Sequence, residues 1–290
     1  MATPAQWVAG ARPRTLPAAV APVLVGTGAA AQLDREDFGL ALLALLVSLA
    51  LQVGVNYAND YSDGVRGTDE ARVGPVRLVG QRLADPRNVK LMAFGFFGLA
   101  GLAGLALCAL AGTMNLLWVG AAAILAAWYY TGGKRPYGYR GLGEPFVFVF
   151  FGLVATLGTM WTQAHAMSFL GVLGAYGVGA LATALMVTNN LRDLPSDREA
   201  EKLTLAVRWG DAKTRSFYAF LVISALFTVL MYAVSAPWSL LAFLAAPLGL
   251  QQVARVARGA QGRDLIPVLE GTGRTQLVYA VLLTLGLLLA

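Results

Sequence analysis

The sequence predicts an all-α integral membrane protein, with nine transmembrane helices in a pseudo-repeated bundle around a central cavity and a cytoplasmic loop as its cap. The composition is the first reason. The 290 residues are 57% hydrophobic and 13% charged, whereas soluble domains are about 25% charged. The second reason is that the charges leave long uncharged runs between them. The third is that a motif of asparagine and aspartate recurs after 133 residues. We interpret residues 1–290 as a single transmembrane domain.

The uncharged runs give the helices in order. One span needs about 20 apolar residues, so the three runs of 43, 47 and 39 residues each predict a hairpin of two helices. Their turns are predicted at 110–115, 162–168 and 235–239. The three shorter runs predict one helix each, which brings the total to nine. The six runs cover 15–33, 38–59, 91–133, 145–191, 216–254 and 275–290.

The basic residues predict the orientation. With nine spans, 21 of the 22 Lys and Arg residues fall on one side of the membrane and only Arg35 on the other. Because basic loops stay in the cytoplasm, we expect the N-terminus inside and the C-terminus outside a bacterial plasma membrane. Arg12 and Arg14 before an apolar run imitate a secretory signal, but we interpret this run as the first span.

Two polar motifs end even-numbered spans. The first motif (56–69) follows span 2, and the second (189–202) follows span 6. On a helix, Asn56, Asp60 and Asp63 lie within about 60° of one another, with Asn59 about 60° off that face. In the second motif, Asn189 and Asp193 follow Asn56 and Asp60 after 133 residues, and Asp197 comes one residue later than an exact repeat of Asp63 would place it. A helix end solvated by water explains one such motif well, but it explains two in register poorly. The repeat therefore predicts two polar faces at the cytoplasmic mouth of one cavity.

Carboxylate and amide oxygens are the ligands that Mg²⁺ prefers, often together with substrate phosphate oxygens. Two such faces predict two Mg²⁺ ions that clamp a diphosphate. The expected metal ligands are Asn56, Asp60, Asp63, Asn189, Asp193 and Asp197.

Two loops supply candidate partners for the diphosphate. Tyr130 and Lys134 share a helical face if the helix after span 4 continues through Gly132 and Gly133; an interfacial aromatic belt with a basic loop is an equally good explanation. The loop 66–83 is long enough to cover the mouth, unless it is simply a basic juxtamembrane loop. The expected diphosphate-binding residues are Asn59, Arg66, Asp69, Arg72, Arg77 and Lys202. The expected catalytic residues are Asp60, Asp63, Tyr130, Lys134, Asp193 and Asp197.

These segments resemble those of the UbiA superfamily of intramembrane aromatic prenyltransferases. The resemblance covers most of the chain, and within the superfamily the naphthoate branch is the most similar. One departure is Glu201-Lys202-Leu203-Thr204, where such proteins commonly read Gly-Lys-Arg/Lys-Thr, so a basic position is lost. The segments that carry the resemblance are ARPRTLPA (11–18), NYANDYSDGVRGTD (56–69), RVGPVRLVGQ (72–81), YTGGKRPYGYRGLGE (130–144), NNLRDLPSDREAEKLTLAVR (189–208) and LIPVLEGTGRTQLVY (265–279).

The resemblance implies nine helices around a central cavity, Mg²⁺ dependence and a polyprenyl diphosphate donor. The implied acceptor is 1,4-dihydroxy-2-naphthoate, which loses its carboxylate to give demethylmenaquinol in menaquinone biosynthesis. Two alternatives stay open at this point. A prenyltransferase for another acceptor, such as 4-hydroxybenzoate, would keep the same clamp. A membrane transporter with an acidic vestibule would need no chemistry at all, although its spans would usually carry ionisable groups.

Overall fold

The computed structural model describes residues 2–68 and 76–290. Within these residues the protein is helical and contains no β-strand. The helices are α1 (Pro4–Gly10), α2 (Pro17–Ala31), α3 (Phe38–Arg66), α4 (Pro86–Leu110), α5 (Leu117–Tyr129), α6 (Gly143–Val147), α7 (Ala155–Ala164), α8 (Phe169–Arg192), α9 (Leu194–Glu199), α10 (Leu205–Trp209), α11 (Asp211–Tyr232), α12 (Ala246–Ala257) and α13 (Leu265–Leu288).

The predicted turns lie at junctions between helices, although 162–164 belong to the end of α7 and 237–239 to a 3₁₀ helix, Pro237–Ala245. α4 ends at Leu110, α7 ends at Ala164 before α8 begins at Phe169, and α11 ends at Tyr232. Local caps explain several of these boundaries: the side chains of Asp37, Asp85 and Ser168 accept backbone N–H groups in the first turns of α3, α4 and α8, as N-cap residues do.

Among the described residues, six helical segments are long and apolar enough to cross a membrane. α2 and the segment Met114–Tyr129 are apolar but shorter, and α13, with 24 residues, is not among the six. The predicted count of nine spans is therefore not confirmed. The multi-pass character is confirmed by these six segments. It agrees with exposed apolar side chains along them, such as Leu102 at 70% and Phe227 at 60%, which lipid would cover favourably.

Helix packing agrees with an internal repeat. α3 packs along α4 in the first half, and α8 packs along α11 in the second. α3 and α8 both end in one of the polar motifs. The largest buried apolar cluster joins α2, α8, α11, α12 and α13, and a second cluster joins α3, α4 and the segment around Leu78. The two motifs are therefore held by separate packed regions.

A π-helical turn, Phe148–Val154, joins α6 to α7. Gly152 lies so close to α8 that a Cβ there would stand 2.5 Å from the Cα of Gly179. This crossing needs glycine because any side chain would meet backbone. Such π turns are frequent at functional sites, and this one faces the central cavity with Phe150, Phe151 and Val154.

Candidate active site

A cavity of about 680 Å³ lies between the two halves of the bundle. One end is polar and is lined by both motifs and by several basic residues. The other end is lined by apolar residues of α3, α4 and α5, including Val47, Leu107 and Val119. A cavity with this division can hold a charged group at one end and a long hydrocarbon at the other.

The first motif reaches the cavity through Asn56, Asn59 and Asp63. Asn56 donates its amide to the carbonyl of Ala11 and to the hydroxyl of Thr15, at 2.9 and 3.1 Å. Asn59 accepts the hydroxyl proton of Thr131 at 2.8 Å. The structure thus brings the predicted residues Asn56 and Asp63 to the cavity, together with Asn59, which lies off the predicted face.

The sequence predicts Asp60 as a metal ligand, but in the structure its carboxylate binds backbone N–H groups. Its two carboxylate oxygens accept the backbone N–H groups of Leu78 and Val79 at 2.8 and 3.0 Å, and only 1% of the residue is exposed. Both oxygens therefore hold the segment after the motif against α3. Arg77 precedes these two residues and lines the cavity.

Tyr139 connects to the first motif from the loop after α5. Its hydroxyl donates to Asp63 Oδ1 at 2.7 Å. Burial, and then the Asp63 charge, raises the pKa of this phenol, so it stays protonated as a donor at neutral pH. Burial raises the pKa of Tyr137 in the same way. Tyr139 thereby fixes the orientation of one cavity carboxylate.

The second motif presents its residues in three ways. Asn189 lines the cavity. Asp193 is paired with the guanidinium of Arg192 through two contacts of 2.7 and 2.8 Å, and Arg192 itself lines the cavity. Asp197 is buried, with Thr204 Oγ1 at 3.5 Å from its Oδ2. Asp193, like Asp60, thus has both oxygens engaged by protein groups.

Lys202 joins the two motifs. Its ammonium nitrogen lies 4.0 Å from Asp63 Oδ2 and 3.9 Å from Asp197 Oδ1. It also lies 4.8 Å from the ring centre of Tyr139, and only 6% of the residue is exposed. Two carboxylates separated by 134 positions in the sequence therefore converge on one buried cation.

The remaining residues predicted for the site do not all lie at the cavity. Tyr130 and Arg77 line the cavity. Arg66 instead donates to the backbone carbonyls of Thr131 and Gly133, so it ties α3 to the following loop. Asp69 and Arg72 lie outside the described residues. The structure describes 66–68 and 76–83 of the predicted cap (66–83) but not 69–75, so the cap stays a prediction.

The prediction that Tyr130 and Lys134 share a helical face is wrong. α5 ends at Tyr129, and Gly133 has a φ of +73°, a left-handed conformation that interrupts the helix. Lys134 is consequently exposed on the connection, whereas Tyr130 faces the cavity.

No group of three or more His, Cys, Asp or Glu side chains is arranged for a metal ion within residues 2–68 and 76–290. The polar end instead combines the carboxylate of Asp63 with the amide groups of Asn59 and Asn189. Asp197 is buried 3.9 Å from Lys202, which lines the same end. Hard oxygen ligands of this kind suit Mg²⁺ when substrate phosphates and water complete the shell. Asp63 and Asp197 lie 4.0 and 3.9 Å from the same Lys202 nitrogen, so both carboxylates lie near one end of the cavity, and their oxygens fit a divalent metal whose shell substrate phosphates complete.

Comparison with known proteins identifies the fold. The profile of the UbiA prenyltransferase family matches residues 19–265. The chain belongs to the UbiA prenyltransferase family.

Relatives in the family match over nearly the whole chain. The 1,4-dihydroxy-2-naphthoate octaprenyltransferase of Mycobacterium tuberculosis is 54% identical over 97% of this chain and 96% of that protein. The enzyme of the same name from Escherichia coli is 39% identical over 98% of this chain and 95% of its own length. The resemblance inferred from the motifs is confirmed.

Solved structures share the fold. A UbiA homolog from Archaeoglobus fulgidus, bound to GPP and Mg²⁺, is 13% identical, has a TM-score of 0.68 and covers 98% of this chain and 100% of that chain. A digeranylgeranylglyceryl phosphate synthase has a TM-score of 0.63 and covers 99% of both chains.

Several cavity residues of this UbiA family member escape sequence reasoning. Arg12, Arg14 and Arg192 line the cavity. Arg14 also pairs with Glu270 of α13 at 2.5 Å. The N-terminal pair lies in the segment ARPRTLPA, whose basic residues look like ordinary orientation signals. Only the fold of 11–16 against α3 and α13 brings them to the site.

Proposed function

We propose that this protein transfers a polyprenyl chain from polyprenyl diphosphate to 1,4-dihydroxy-2-naphthoate, with loss of the carboxylate as CO₂, to give demethylmenaquinol. The observation that carries the proposal is the cavity whose polar end unites both motifs and whose other end is apolar. The names of relatives at 54% and 39% identity support the acceptor. Membership of a prenyltransferase family leaves no support for the transporter alternative.

Binding of the donor follows from the charge at the polar end. Asn59, Asp63, Asn189 and Asp197 are the residues that would hold Mg²⁺, and we keep two ions as the expected number. Bound Mg²⁺ would supply positive charge to the leaving diphosphate. Arg77, Arg192 and Lys202 add charge from the cavity wall. Asn56 lines the same end of the cavity, beside the residues that would hold Mg²⁺.

Other predicted residues would act on the diphosphate without binding it directly. Asp60 holds the segment that carries Arg77, and Asp193 orients Arg192. Lys134 is exposed, so its contribution is attraction of the diphosphate to the mouth rather than contact within it. Arg66 fixes the loop that leads to Lys134. Asp69 and Arg72 remain expected diphosphate contacts.

The aromatic lining of the cavity suits the allylic carbon of the prenyl donor. Tyr130, Tyr137, Phe146 and Phe150 line it, and Tyr137 stacks on Phe146 with 4.1 Å between ring centres. Aromatic faces stabilise a cationic allylic carbon, and an apolar wall keeps out the water that would quench it. The electron-rich naphthol ring then attacks that carbon, and the prenyl chain occupies the apolar end.

The test is a reconstituted assay. Purified protein receives a labelled polyprenyl diphosphate, Mg²⁺ and either 1,4-dihydroxy-2-naphthoate or 4-hydroxybenzoate, and the products are identified by mass. We expect a prenylated, decarboxylated naphthoate product, no reaction with EDTA and recovery when Mg²⁺ is restored. Prenylation of 4-hydroxybenzoate alone would contradict the acceptor, and no prenylation with either acceptor would contradict the function.

A further inference from the structure

An ion pair on the cavity wall has no part in the diphosphate site. Nη1 of Arg14 lies 2.5 Å from Oε1 of Glu270 on α13, and the two side chains are 74% and 32% exposed. Both residues line the cavity. An ion pair with this much exposure contributes little to stability, so folding alone gives little reason for a charged pair inside the cavity.

The pair belongs to a different level of the cavity from the motif carboxylates. Thr15, the neighbour of Arg14, fixes this segment to α3. Its hydroxyl accepts hydrogen bonds from Gln52 and Asn56 at 2.7 and 3.1 Å. α3 runs toward its polar end, and Asn56 precedes Asp63 by about 10 Å along the helix axis. The backbone at Arg14 is therefore held on the inner side of the polar end, toward the middle of the cavity.

The charge and level of the pair indicate which ligand would meet it. The prenyl chain carries no charge, and the diphosphate is expected between the two motifs. Glu270 would also repel a group with several negative charges. The aromatic acceptor has one carboxylate and must reach the carbon next to the diphosphate, which is the inner side of the polar end. Because Glu270 is itself a carboxylate on the guanidinium of Arg14, this contact already has the chemistry that the acceptor needs.

One carboxylate can replace another more easily at Arg14 than at the buried cations of the cavity. Arg192 is 7% exposed and is bound by Asp193 through two contacts, and Lys202 is 6% exposed. Breaking a buried pair is strongly unfavourable. The exposed pair of Arg14 and Glu270 is weak by comparison, and water can solvate Glu270 once it is displaced.

We propose that Arg14 binds the carboxylate of the aromatic acceptor, and that Glu270 occupies this position until the acceptor enters. This inference rests on the proposed function. The planar guanidinium can hold a carboxylate through two parallel hydrogen bonds, which would fix the orientation of the ring relative to the prenyl carbon. Glu270 would compete with the acceptor for Arg14 and so lower its affinity.

Arg14→Gln and Glu270→Gln should therefore act in opposite directions in steady-state kinetics. Arg14→Gln removes the contact, so we expect the KM for the naphthoate to rise by on the order of 10- to 100-fold, with the KM for the prenyl diphosphate unchanged. Glu270→Gln removes the competing carboxylate, so the KM for the naphthoate should fall about two- to fivefold. If the ion pair were merely structural, both variants would break it and would change the KM in the same direction.

Arg263→Gln is the matched control. Arg263 is exposed just before α13 and lies outside the cavity lining, so this variant removes the same charge near the same helix end. It should leave both KM values unchanged. A rise equal to that of Arg14→Gln would mean that the basic residues only attract anions in general, and it would overturn the subsite.

An acceptor without the carboxylate tests the contact directly. 1,4-Dihydroxynaphthalene has the same rings and hydroxyl groups as the naphthoate. Its inhibition constant against the naphthoate, measured without oxygen, should be equal in the wild-type protein and in Arg14→Gln. If Arg14→Gln does not fold in detergent, Arg14→Lys replaces it, because lysine keeps the charge but cannot form the two parallel hydrogen bonds.

The outcomes separate the subsite from the proposed function. Opposite changes in the two glutamine variants, with an unchanged inhibition constant for the diol, support the subsite. Changes in the same direction, an equal loss of affinity for the diol, or an equal rise in the KM for the prenyl diphosphate would overturn it. Failure of the wild-type protein to prenylate the naphthoate would instead refute the proposed function.

Discussion

Lys202 lies near a carboxylate of each polar motif. Its ammonium lies about equally far from Asp63 and Asp197, at 4.0 and 3.9 Å. A buried charge held in this way is stabilised by its partners and is unfavourable without them. The lysine therefore keeps two carboxylates together that would otherwise repel one another. A diphosphate that enters this end would meet a cation already in position.

Replacement of Lys202 should affect catalysis more than replacement of Lys134. For Lys202→Ala we expect kcat/KM for the prenyl diphosphate to fall by about 100-fold, because a positioned charge at the leaving group is lost. Lys134→Ala should raise only the KM for the diphosphate, and this effect should weaken at high salt, since Lys134 is exposed. Steady-state kinetics at two ionic strengths measure both. A larger kcat loss in Lys134→Ala would show that the loop closes over the site.

Tyr139 offers a second prediction at this scale, through its hydrogen bond to Asp63. Tyr139→Phe removes the donor and keeps the ring near Lys202. Groups that orient a metal ligand commonly change metal affinity by about 10- to 100-fold, so the Mg²⁺ concentration for half-maximal activity should rise by at least about 10-fold. Binding of Mn²⁺ in the absence of substrate, followed by electron paramagnetic resonance, gives a readout apart from activity.

The matched control is Tyr129→Phe, because this neighbouring tyrosine is 51% exposed at the end of α5. It should leave the metal requirement unchanged. Mn²⁺ affinity that is equal in Tyr139→Phe and the wild-type protein would mean that Tyr139 does not orient a metal ligand.

At the scale of elements, α3 shows what a sequence can and cannot specify. Helical spacing correctly predicts that residues of the first motif share one narrow face. It cannot say which of two overlapping faces turns inward: Asn56, Asp60 and Asp63 span about 60°, and so do Asn56, Asn59 and Asp63. The structure turns the second set to the cavity. The choice depends on contacts between Asp60 and a segment 18 residues later, which no local pattern contains.

The loop after α5 is a similar case. The sequence predicts a shared face for Tyr130 and Lys134 only if helix persists through two glycines. The helix does not persist, because Gly133 has a left-handed conformation and Arg66 binds the carbonyl of Gly133. Arg12 and Arg14, in turn, reach the cavity through the packing of an N-terminal segment whose basic residues predict only membrane orientation.

Asp60 should act through the segment that it anchors. Asp60→Ala leaves the N–H groups of Leu78 and Val79 without their acceptors, which costs about 1–3 kcal/mol for each buried group. We expect the segment to detach, trypsin to cleave at Arg77 or Arg82 more rapidly, and turnover to fall sharply as Arg77 leaves the cavity. Limited proteolysis followed by mass spectrometry measures the first effect.

Asp63→Ala provides the comparison, because Asp63 lines the cavity, whereas the N–H groups of Leu78 and Val79 donate to Asp60. We expect it to lose turnover with no change in cleavage at Arg77 or Arg82. If Asp60→Ala also loses turnover without faster cleavage, Asp60 would be a metal ligand as the sequence predicts.

At the scale of the whole molecule, the repeat explains why one cavity is polar at only one end. The two halves each contribute a long helix, α3 or α8, that ends in a polar motif. Because α3 and α8 belong to separate buried clusters, the motifs meet at the boundary between these clusters rather than inside either one. Polar chemistry thus gathers at the junction, and the apolar remainder of that junction is left for the hydrocarbon.

The orientation of this bundle in the membrane is the remaining prediction. Nine spans require Arg35 and the C-terminal end to lie outside and the motif ends of α3 and α8 to face the cytoplasm. The chain is well suited to thiol labelling, since its single cysteine, Cys108, is 5% exposed. Cysteines introduced as Glu36→Cys, Arg258→Cys and Ala290→Cys report the two sides.

In intact cells, a membrane-impermeant maleimide should label the cysteines at 36 and 290 and should label that at 258 only after the membrane is opened. The wild-type chain, with Cys108 alone, is the background. This pattern distinguishes odd from even numbers of spans, because an even number between positions 36 and 258 would expose both of those sites on the same side. Labelling of 258 in intact cells would reverse the expected side of the active site and, with it, the side from which the diphosphate must arrive.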